Sequence, residues 1–204
     1  MESDNQTEFN FVEKNSIKMP IKPLMADEEI DLIKSYLGKD KTFFEWGAGG
    51  STVEFSNYVK EYYSVEHDFK WYNLIKDQAE RNTKIYYVPP QTHNLEWFPV
   101  YKPGNEAIFR NYIKYAGLLG SFGKKFDIVF IDGRERLFCA EEALNYLNEN
   151  AIVFIHDFNR PRYWDIIKKY RIIDIIGNMV ALEKGDSLNQ EKNRYYLIKK
   201  YLAN

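Results

Sequence analysis

A run of apolar residues that breaks into glycines constrains the fold of this chain more than any other feature. Residues 42–46 are mostly apolar, Gly47-Ala48-Gly49-Gly50 follows, and Ser51-Thr52 leads into a further apolar stretch. This order predicts a strand, a tight turn and a helix. The first N–H groups of a helix lack partners inside the helix, so such a turn can present them to a ligand. The pattern therefore predicts a loop that binds a nucleotide-type cofactor.

The remainder of the chain alternates between strand-like and helix-like segments. Strands are predicted over residues 42–46, 62–66, 84–88, 126–132, 151–155, 171–176 and 179–183. Helices are predicted over about residues 27–37, 51–59, 68–80, 107–119, 135–148 and 162–169, and residues 195–201 fit either kind of element. Such alternation indicates an α/β protein with a Rossmann-like, doubly wound, mostly parallel seven-stranded sheet and helices on both faces. The turn Gly177-Asn178 predicts a C-terminal antiparallel hairpin.

Composition and charge limit the class of protein. The 204 residues carry a net charge of −2, are 45% hydrophobic and 17% aromatic, and include one cysteine, Cys139. We predict one domain over residues 26–204 after an N-terminal arm over residues 1–25. The near-neutral charge argues against a nucleic-acid partner, and the lone cysteine excludes an internal disulfide and a multi-thiolate zinc site. Without a bilayer-spanning apolar stretch or a secretory leader, we expect no membrane partner and a cytoplasmic location.

Charged residues lie at the carboxyl ends of several of the predicted strands. Glu45 and Glu66 close the first two strands, Asp132 closes the fourth, and His156-Asp157 follows the fifth. In open α/β sheets the ligand lies beyond the carboxyl ends of the strands, where the strand order reverses. We therefore expect these side chains to surround one ligand site.

These segments resemble class I S-adenosylmethionine-dependent methyltransferases over about residues 27–183. The stretch Glu45-Trp46-Gly47-Ala48-Gly49 is similar to the E-x-G-x-G loop of that family, Glu66 to its ribose-binding acid, and Asp132 to the acid that ends its fourth strand. The nearer resemblance is to small-molecule and sugar O-methyltransferases. It implies S-adenosylmethionine as the cofactor and a hydroxyl of a sugar, glycan or other small molecule as the methyl acceptor.

The resemblance also implies which residues bind the cofactor. They are Glu45, Gly47, Ala48, Gly49, Ser51, Thr52, Glu66, His67 and Asp132. A nicotinamide-dependent oxidoreductase is an alternative, because Gly47-Ala48-Gly49 also begins a dinucleotide fingerprint. Thr52 replaces the third glycine of that fingerprint, and the anionic Glu45 would repel a pyrophosphate. A methyltransferase-like binding module with weak catalysis is a second alternative.

Asp132, His156 and Asp157 are the predicted catalytic residues. His156 has the intrinsic pKa of a general base for the acceptor hydroxyl, and either acid could orient it. The same three residues could instead hold magnesium or manganese, which would lower the pKa of the acceptor hydroxyl. Some sugar and catechol-type O-methyltransferases bind metal at the ends of these strands. A histidine is unusual for magnesium, however, and Arg134 stands where the magnesium-dependent sugar enzymes tend to carry an acid.

Four further residues are predicted to contact the acceptor. They are Arg134, Arg136, Arg160 and Trp97. Guanidinium groups bind carboxylates and phosphates through paired hydrogen bonds, and a tryptophan can form the wall of a sugar site. The sequence predicts a small-molecule or carbohydrate partner without specifying it, and it is compatible with a homo-oligomer.

Overall fold

The computed structural model describes residues 21–91, 109–185 and 190–202. Within these residues seven strands form one sheet. The strands are β1 (Thr42–Trp46), β2 (Glu61–Glu66), β3 (Thr83–Tyr87), β4 (Phe126–Ile131), β5 (Leu147–Ile155), β6 (Tyr170–Ile176) and β7 (Met179–Lys184). Each predicted strand is therefore present, with bounds that differ by up to four residues.

The strand order is β3-β2-β1-β4-β5-β7-β6. Strands β1 to β5 pair in parallel, whereas β7 is antiparallel to both β5 and β6. Six strands thus point the same way, which confirms the predicted mostly parallel sheet with a C-terminal hairpin. The order reverses between β1 and β4, so the carboxyl ends of these two strands flank the expected ligand site.

The helices are shorter than predicted. They are α1 (Asp27–Lys34), α2 (Gly50–Phe55), α3 (Phe69–Lys76), α4 (Ile113–Ala116), α5 (Arg136–Ala143) and α6 (Gln190–Leu197). Several continue as, or are replaced by, 3₁₀ turns at Ser56–Tyr58, Phe109–Tyr112, Gly117–Phe122, Leu144–Tyr146 and Pro161–Lys168. The segment predicted as either strand or helix is helical, and it ends in a π-helical turn at Ile198–Leu202. None of the helices in the described ranges is both long and apolar enough to cross a bilayer.

Side-chain competition ends α2 early. The amide of Asn57 donates to the backbone carbonyls of Val53 at 2.8 Å and Glu54 at 3.3 Å. Asparagine side chains compete with the helix for its own carbonyl groups, so the helix predicted to reach residue 59 stops at Phe55.

The core lies on both faces of the sheet. Alternate residues of the central strands point in opposite directions, so Phe44 and Val129 pack against one set of helices, while Phe43 and Phe130 pack against the other. Helices α4, α5 and α6 cover the first face, and α1 and α2 cover the second. Cys139 is fully buried on α5, where it acts as a small apolar residue. Burial on both faces explains why these strands are almost continuously apolar.

Candidate functional site

The glycine loop between β1 and α2 is packed backbone to backbone against the loop after β4. Gly47 adopts a φ of +97°, and its N–H donates to the carbonyl of Val65 at 2.9 Å. A Cβ atom on Gly47 would lie 2.8 Å from both the Cα and the N of Gly133. Only glycine satisfies both the left-handed backbone and this close approach. The glycine loop and the loop after β4 are therefore closely packed against each other.

Glu45, in β1, supports the glycine loop from the interior of the protein. Its carboxylate is completely buried and accepts hydrogen bonds from the hydroxyls of Ser51, Thr52 and, at 2.8 Å, Ser64. Burial raises the pKa of Glu45 to about 7, although the hydroxyl hydrogen bonds oppose that shift. The hydroxyl of Thr52 also accepts the N–H of Gly49 at 2.9 Å. Glu45 and Thr52 thus hold the glycine loop in shape.

A cavity of about 640 Å³ opens at the carboxyl ends of β1, β2, β4 and β5. Its volume is within the range of small-molecule and cofactor sites. Besides the segment 66–71, the lining includes Leu24 and Met25, which precede α1. The predicted site residues that line it are Gly47, Ala48, Gly49, Ser51, Glu66, His67, Asp132, Arg134, Arg136, Asp157 and Arg160. Glu45, Thr52 and His156 are not part of this lining, and Trp97 lies outside the described residues.

Glu66 is held at the end of β2 with its side chain almost fully buried. Its Oε1 atom accepts the backbone N–H groups of His67 at 2.8 Å and Asp68 at 2.7 Å. Asp68 in turn caps α3 by accepting the N–H of Trp71 at 2.9 Å. These bonds fix the carboxylate within the cavity wall, at the end of the strand next to the one that precedes the glycine loop.

Arg136, at the start of α5, binds the ends of two strands together. Its Nε donates to the carbonyl of Gly133 at 3.1 Å, Nη1 to the carbonyl of His156, and Nη2 to the carbonyl of Asp132 at 3.1 Å. Nη2 also lies 3.0 Å from Oδ1 of Asp132 and 3.1 Å from Oδ2 of Asp157. The sequence suggested that Arg136 contacts the acceptor, but its donors are engaged by the protein itself.

His156 is enclosed by carboxylates. Nδ1 lies 3.1 Å from Oδ1 of Asp132, and Nε2 lies 3.4 Å from Oε2 of Glu29. Burial alone would lower the pKa of His156, but the hydrogen bond to Asp132 and the charges of Asp132, Asp157 and Glu29 outweigh it, and the pKa is raised. Both ring nitrogens of His156 thus face carboxylates, and the raised pKa favours its protonated form. This geometry therefore argues against the predicted role of general base.

Glu29 is a site residue that sequence reasoning missed. It is 2% exposed, and besides His156 it accepts the N–H of Ala26 at 2.9 Å and the N–H of Asn178 at 2.5 Å. In the sequence it is one of three consecutive acids that open α1, which is an ordinary helix start. No local pattern distinguishes it from its neighbours.

Asp157 and the remaining arginines form the outer part of the site. Asp157 has a φ of +58°, which is unusual for a residue other than glycine, and its Oδ2 lies 2.9 Å from Nη2 of Arg160. Arg160 is 46% exposed at its side chain. On the other side of the cavity, Nε of Arg134 lies 3.5 Å from Nε2 of His67. The left-handed backbone of Asp157 is a strained conformation, and such strain is common at functional sites.

The predicted metal ligands are close together but do not fit a metal ion. Ligand atoms of Asp132, His156 and Asp157 lie within 4.8 Å of one another. The Nη2 atom of Arg136 already lies between the two carboxylates, and Nδ1 of His156 faces Asp132. A divalent cation would have to displace this guanidinium. The arrangement therefore disagrees with a magnesium or manganese site.

The strand order, the terminal hairpin and the position of the cavity define the Rossmann-like methyltransferase fold. Among solved structures, a methyltransferase-like protein from Silicibacter pomeroyi is similar, with a TM-score of 0.61 and 21% identity over 81% of this chain and 89% of that one. A putative caffeoyl-CoA O-methyltransferase from Staphylococcus aureus has a TM-score of 0.54 and 16% identity over 80% and 86% of the two chains.

A precorrin-6y C5,15-methyltransferase from Geobacter metallireducens has a TM-score of 0.51 and 14% identity, covering 80% of this chain and 92% of that one. By sequence, the chain matches no protein-family model and no curated protein. At these identities the similarity establishes the fold.

Proposed function

We propose that this protein is an S-adenosylmethionine-dependent methyltransferase that transfers a methyl group to a hydroxyl oxygen of a sugar, glycan or other small molecule. One observation carries the proposal: the glycine loop after β1 and the buried carboxylate of Glu66 after β2 line the same cavity. The methyltransferase names of the structural neighbours, one of them a putative O-methyltransferase, support the same reaction class.

Glu66 is the proposed ribose-binding group. Both backbone hydrogen bonds to its carboxylate end on Oε1, so Oε2 is the oxygen that we assign to the ribose hydroxyls. A carboxylate can accept hydrogen bonds from two neighbouring hydroxyls, which is why an acid suits this position. Trp71 lies in the same wall and offers an aromatic surface for the adenine ring.

The glycine loop favours a sulfonium cofactor over a dinucleotide. The N–H of Gly49, which an anion would need, already donates to the hydroxyl of Thr52. Four acids, Glu66, Asp68, Asp132 and Asp157, line the cavity together with four basic residues, Lys70, Arg134, Arg136 and Arg160. The lining therefore lacks the basic excess that a pyrophosphate would favour, while its carboxylates can attract the positive charge of a sulfonium, and this supports methyl transfer over hydride transfer.

In the proposed reaction the acceptor oxygen forms a bond to the methyl carbon as the bond from sulfur to that carbon breaks, which leaves the neutral thioether, and the hydroxyl proton passes to the carboxylate of Asp132 or Asp157. The acceptor lies beside the loops after β4 and β5, where Asp132, Asp157 and Arg160 reach the cavity. Positioning the oxygen in line with the breaking bond supplies most of the rate enhancement in such a transfer. We assign hydrogen bonding to the acceptor hydroxyl to Asp132 and Asp157, because His156 is enclosed by acids.

Titration calorimetry with S-adenosylmethionine tests the cofactor assignment. We expect binding by the wild-type protein and an affinity at least about 10-fold lower for Glu66→Gln, which loses a charged hydrogen-bond acceptor. Glu80→Gln, which changes an exposed acid in the connection between α3 and β3, is the matched control and should bind like the wild type. Absence of binding at millimolar cofactor would refute the proposal, and NADH binding seen by fluorescence would favour the oxidoreductase.

Transfer of a labelled methyl group to free sugars and nucleotide-sugars then tests the acceptor class. Methyl uptake by a hydroxyl supports the proposal. Cofactor binding without uptake by any hydroxylated acceptor would favour a binding module instead.

A further inference from the structure

We propose that the guanidinium of Arg136 is the resident cation of this site, and that it occupies the position where a divalent metal ion would otherwise bind. The protein then holds Asp132 and Asp157 in place without a metal. The occupancy itself follows from the contacts below, whereas its consequence for methyl transfer rests on the proposed function.

The atoms around the guanidinium make up an oxygen cage. Its members are the backbone carbonyls of Asp132, Gly133 and His156 and one carboxylate oxygen each from Asp132 and Asp157. Hard divalent cations such as magnesium and manganese prefer a shell of this kind, built from carboxylates and carbonyls. Here all five oxygens face the three nitrogens of one side chain.

The cation cannot leave this cage easily. Arg136 is 8% exposed, and it is the first residue of α5, so its backbone is fixed next to the loop that it binds. The ring of Tyr163 lies 5.5 Å from its Cζ atom and covers the guanidinium from another side. A guanidinium keeps its proton at any working pH, so the positive charge is permanent.

The cage explains how two acids can lie at one strand edge. Nη2 is 3.0 Å from Asp132 and 3.1 Å from Asp157, and without a cation between them these carboxylates would repel each other. In the proposed reaction, the acceptor hydroxyl is thus oriented by carboxylates with a fixed geometry, and the site needs no Lewis acid.

Manganese binding to the wild-type protein is the first test, measured by electron paramagnetic resonance of free Mn²⁺. We expect no site with a dissociation constant below about 1 mM, and we expect the Tm to be the same with Mn²⁺ and with EDTA. One bound Mn²⁺ per chain that is lost in Asp132→Asn would overturn the proposal. That result would leave the cofactor assignment untouched, because S-adenosylmethionine binding is measured separately.

The second test removes the resident cation. Arg136→Ala should have a lower Tm than the wild type, and Mn²⁺ at ten times its dissociation constant should raise that Tm by roughly 3–6 °C by binding in the empty cage. The control is Arg171→Ala, which removes an exposed arginine paired with Glu183 on the hairpin, and Mn²⁺ should leave its Tm unchanged.

If Arg136→Ala folds but its Tm does not respond to Mn²⁺, the proposal that the guanidinium occupies the position of a metal ion is contradicted. If that variant fails to fold, the wild-type measurement still decides the proposal.

Discussion

Oε2 of Glu29 lies 3.4 Å from Nε2 of His156, so the first helix is tied to the end of the fifth strand. His156 continues the connection to Asp132 in the cavity wall, at 3.1 Å. On the other side, the Glu29 carboxylate binds Ala26, next to Leu24 and Met25, which line the cavity. We call residues 21–26 the N-terminal strap. The strap is thus linked by one line of polar contacts to the cavity wall that contains Asp132.

Replacing Glu29 should loosen the strap. Glu29→Gln keeps the size of the side chain but removes the charge opposite His156 and one of the acceptors for the N–H groups of Ala26 and Asn178. We expect the free energy of unfolding to fall by about 1–3 kcal/mol, together with a weaker affinity for S-adenosylmethionine. Urea unfolding and titration calorimetry measure the two effects.

Glu28→Gln is the control for this prediction, because Glu28 is the exposed neighbour of Glu29 on the same helix. It should change the stability by less than about 0.5 kcal/mol. Equal effects of the two substitutions would contradict a special role for Glu29.

Gly50, in the glycine loop, contacts the same strap. A Cβ atom at this position would lie 2.1 Å from the carbonyl oxygen of Lys22, so Gly50→Ala must push the strap away from the glycine loop. Because this residue is helical, the backbone itself tolerates alanine, and the loss of affinity should reflect the displaced strap alone. We expect a lower Tm and weaker cofactor binding.

Gly117→Ala provides the comparison, since a Cβ atom there meets nothing within 4 Å. It should leave the affinity unchanged and the protein equally stable or slightly more stable, because alanine reduces the entropy of the unfolded chain. If Gly50→Ala behaves in the same way, the strap does not press on the loop.

Glu45 should make stability depend on pH. Its pKa rises from 4.5 to about 7 on folding, so the folded state binds this proton more tightly than the unfolded state does. The stabilisation from the proton is complete below pH 4.5 and is lost as the pH rises through about 7, a change of about 3 kcal/mol. Glu45→Gln removes this dependence, so its free energy of unfolding should vary less between pH 5 and pH 8.

Urea unfolding of both proteins at four pH values in this range gives the comparison, with Glu80→Gln as a variant that should keep the wild-type slope. Parallel pH profiles for the wild type and Glu45→Gln would mean that Glu45 is ionised in both states.

The contact between Gly133 and Tyr115 offers a rescue experiment. A Cβ atom on Gly133 would lie 1.9 Å from the hydroxyl oxygen of Tyr115, which is buried under the loop. Gly133→Ala should therefore destabilise the protein by about 1–3 kcal/mol through overpacking. Adding Tyr115→Phe removes the clashing oxygen and should recover part of that loss, which a double-mutant cycle measures. Strictly additive effects would argue against this contact.

Local patterns predicted most of the sheet but less of the helices. The bounds of β1 were correct because an apolar run between polar residues and glycines is a local signal. Strand β5 begins at Leu147, earlier than predicted, because Leu147 pairs with Phe126 ahead of an irregularity in the ladder. The intervening polar residues carry no strand pattern, and the amide of Asn148 instead binds Asp127 at 2.6 Å.

The sequence predicted where the site residues lie, but it did not predict the chemical role of each one. Strand ends identify where Asp132, His156 and Asp157 gather, since this follows from the topology alone. The roles of His156 and Arg136 depend on partners that are distant in sequence or on backbone carbonyls, and neither leaves a local pattern. Glu29 illustrates the limit, since its carboxylate binds the backbone of Asn178, 149 residues further along the chain.

That last contact also sets an order of events during synthesis on the ribosome. The strap is made early, yet its anchor at Asn178 emerges only when the hairpin of β6 and β7 is translated. Until then the strap, which forms one wall of the cavity, is not held in place, even though the glycine loop and Glu66 have already been made. Tight binding of the proposed cofactor should therefore begin only late in translation, once β7 has been inserted between β5 and β6.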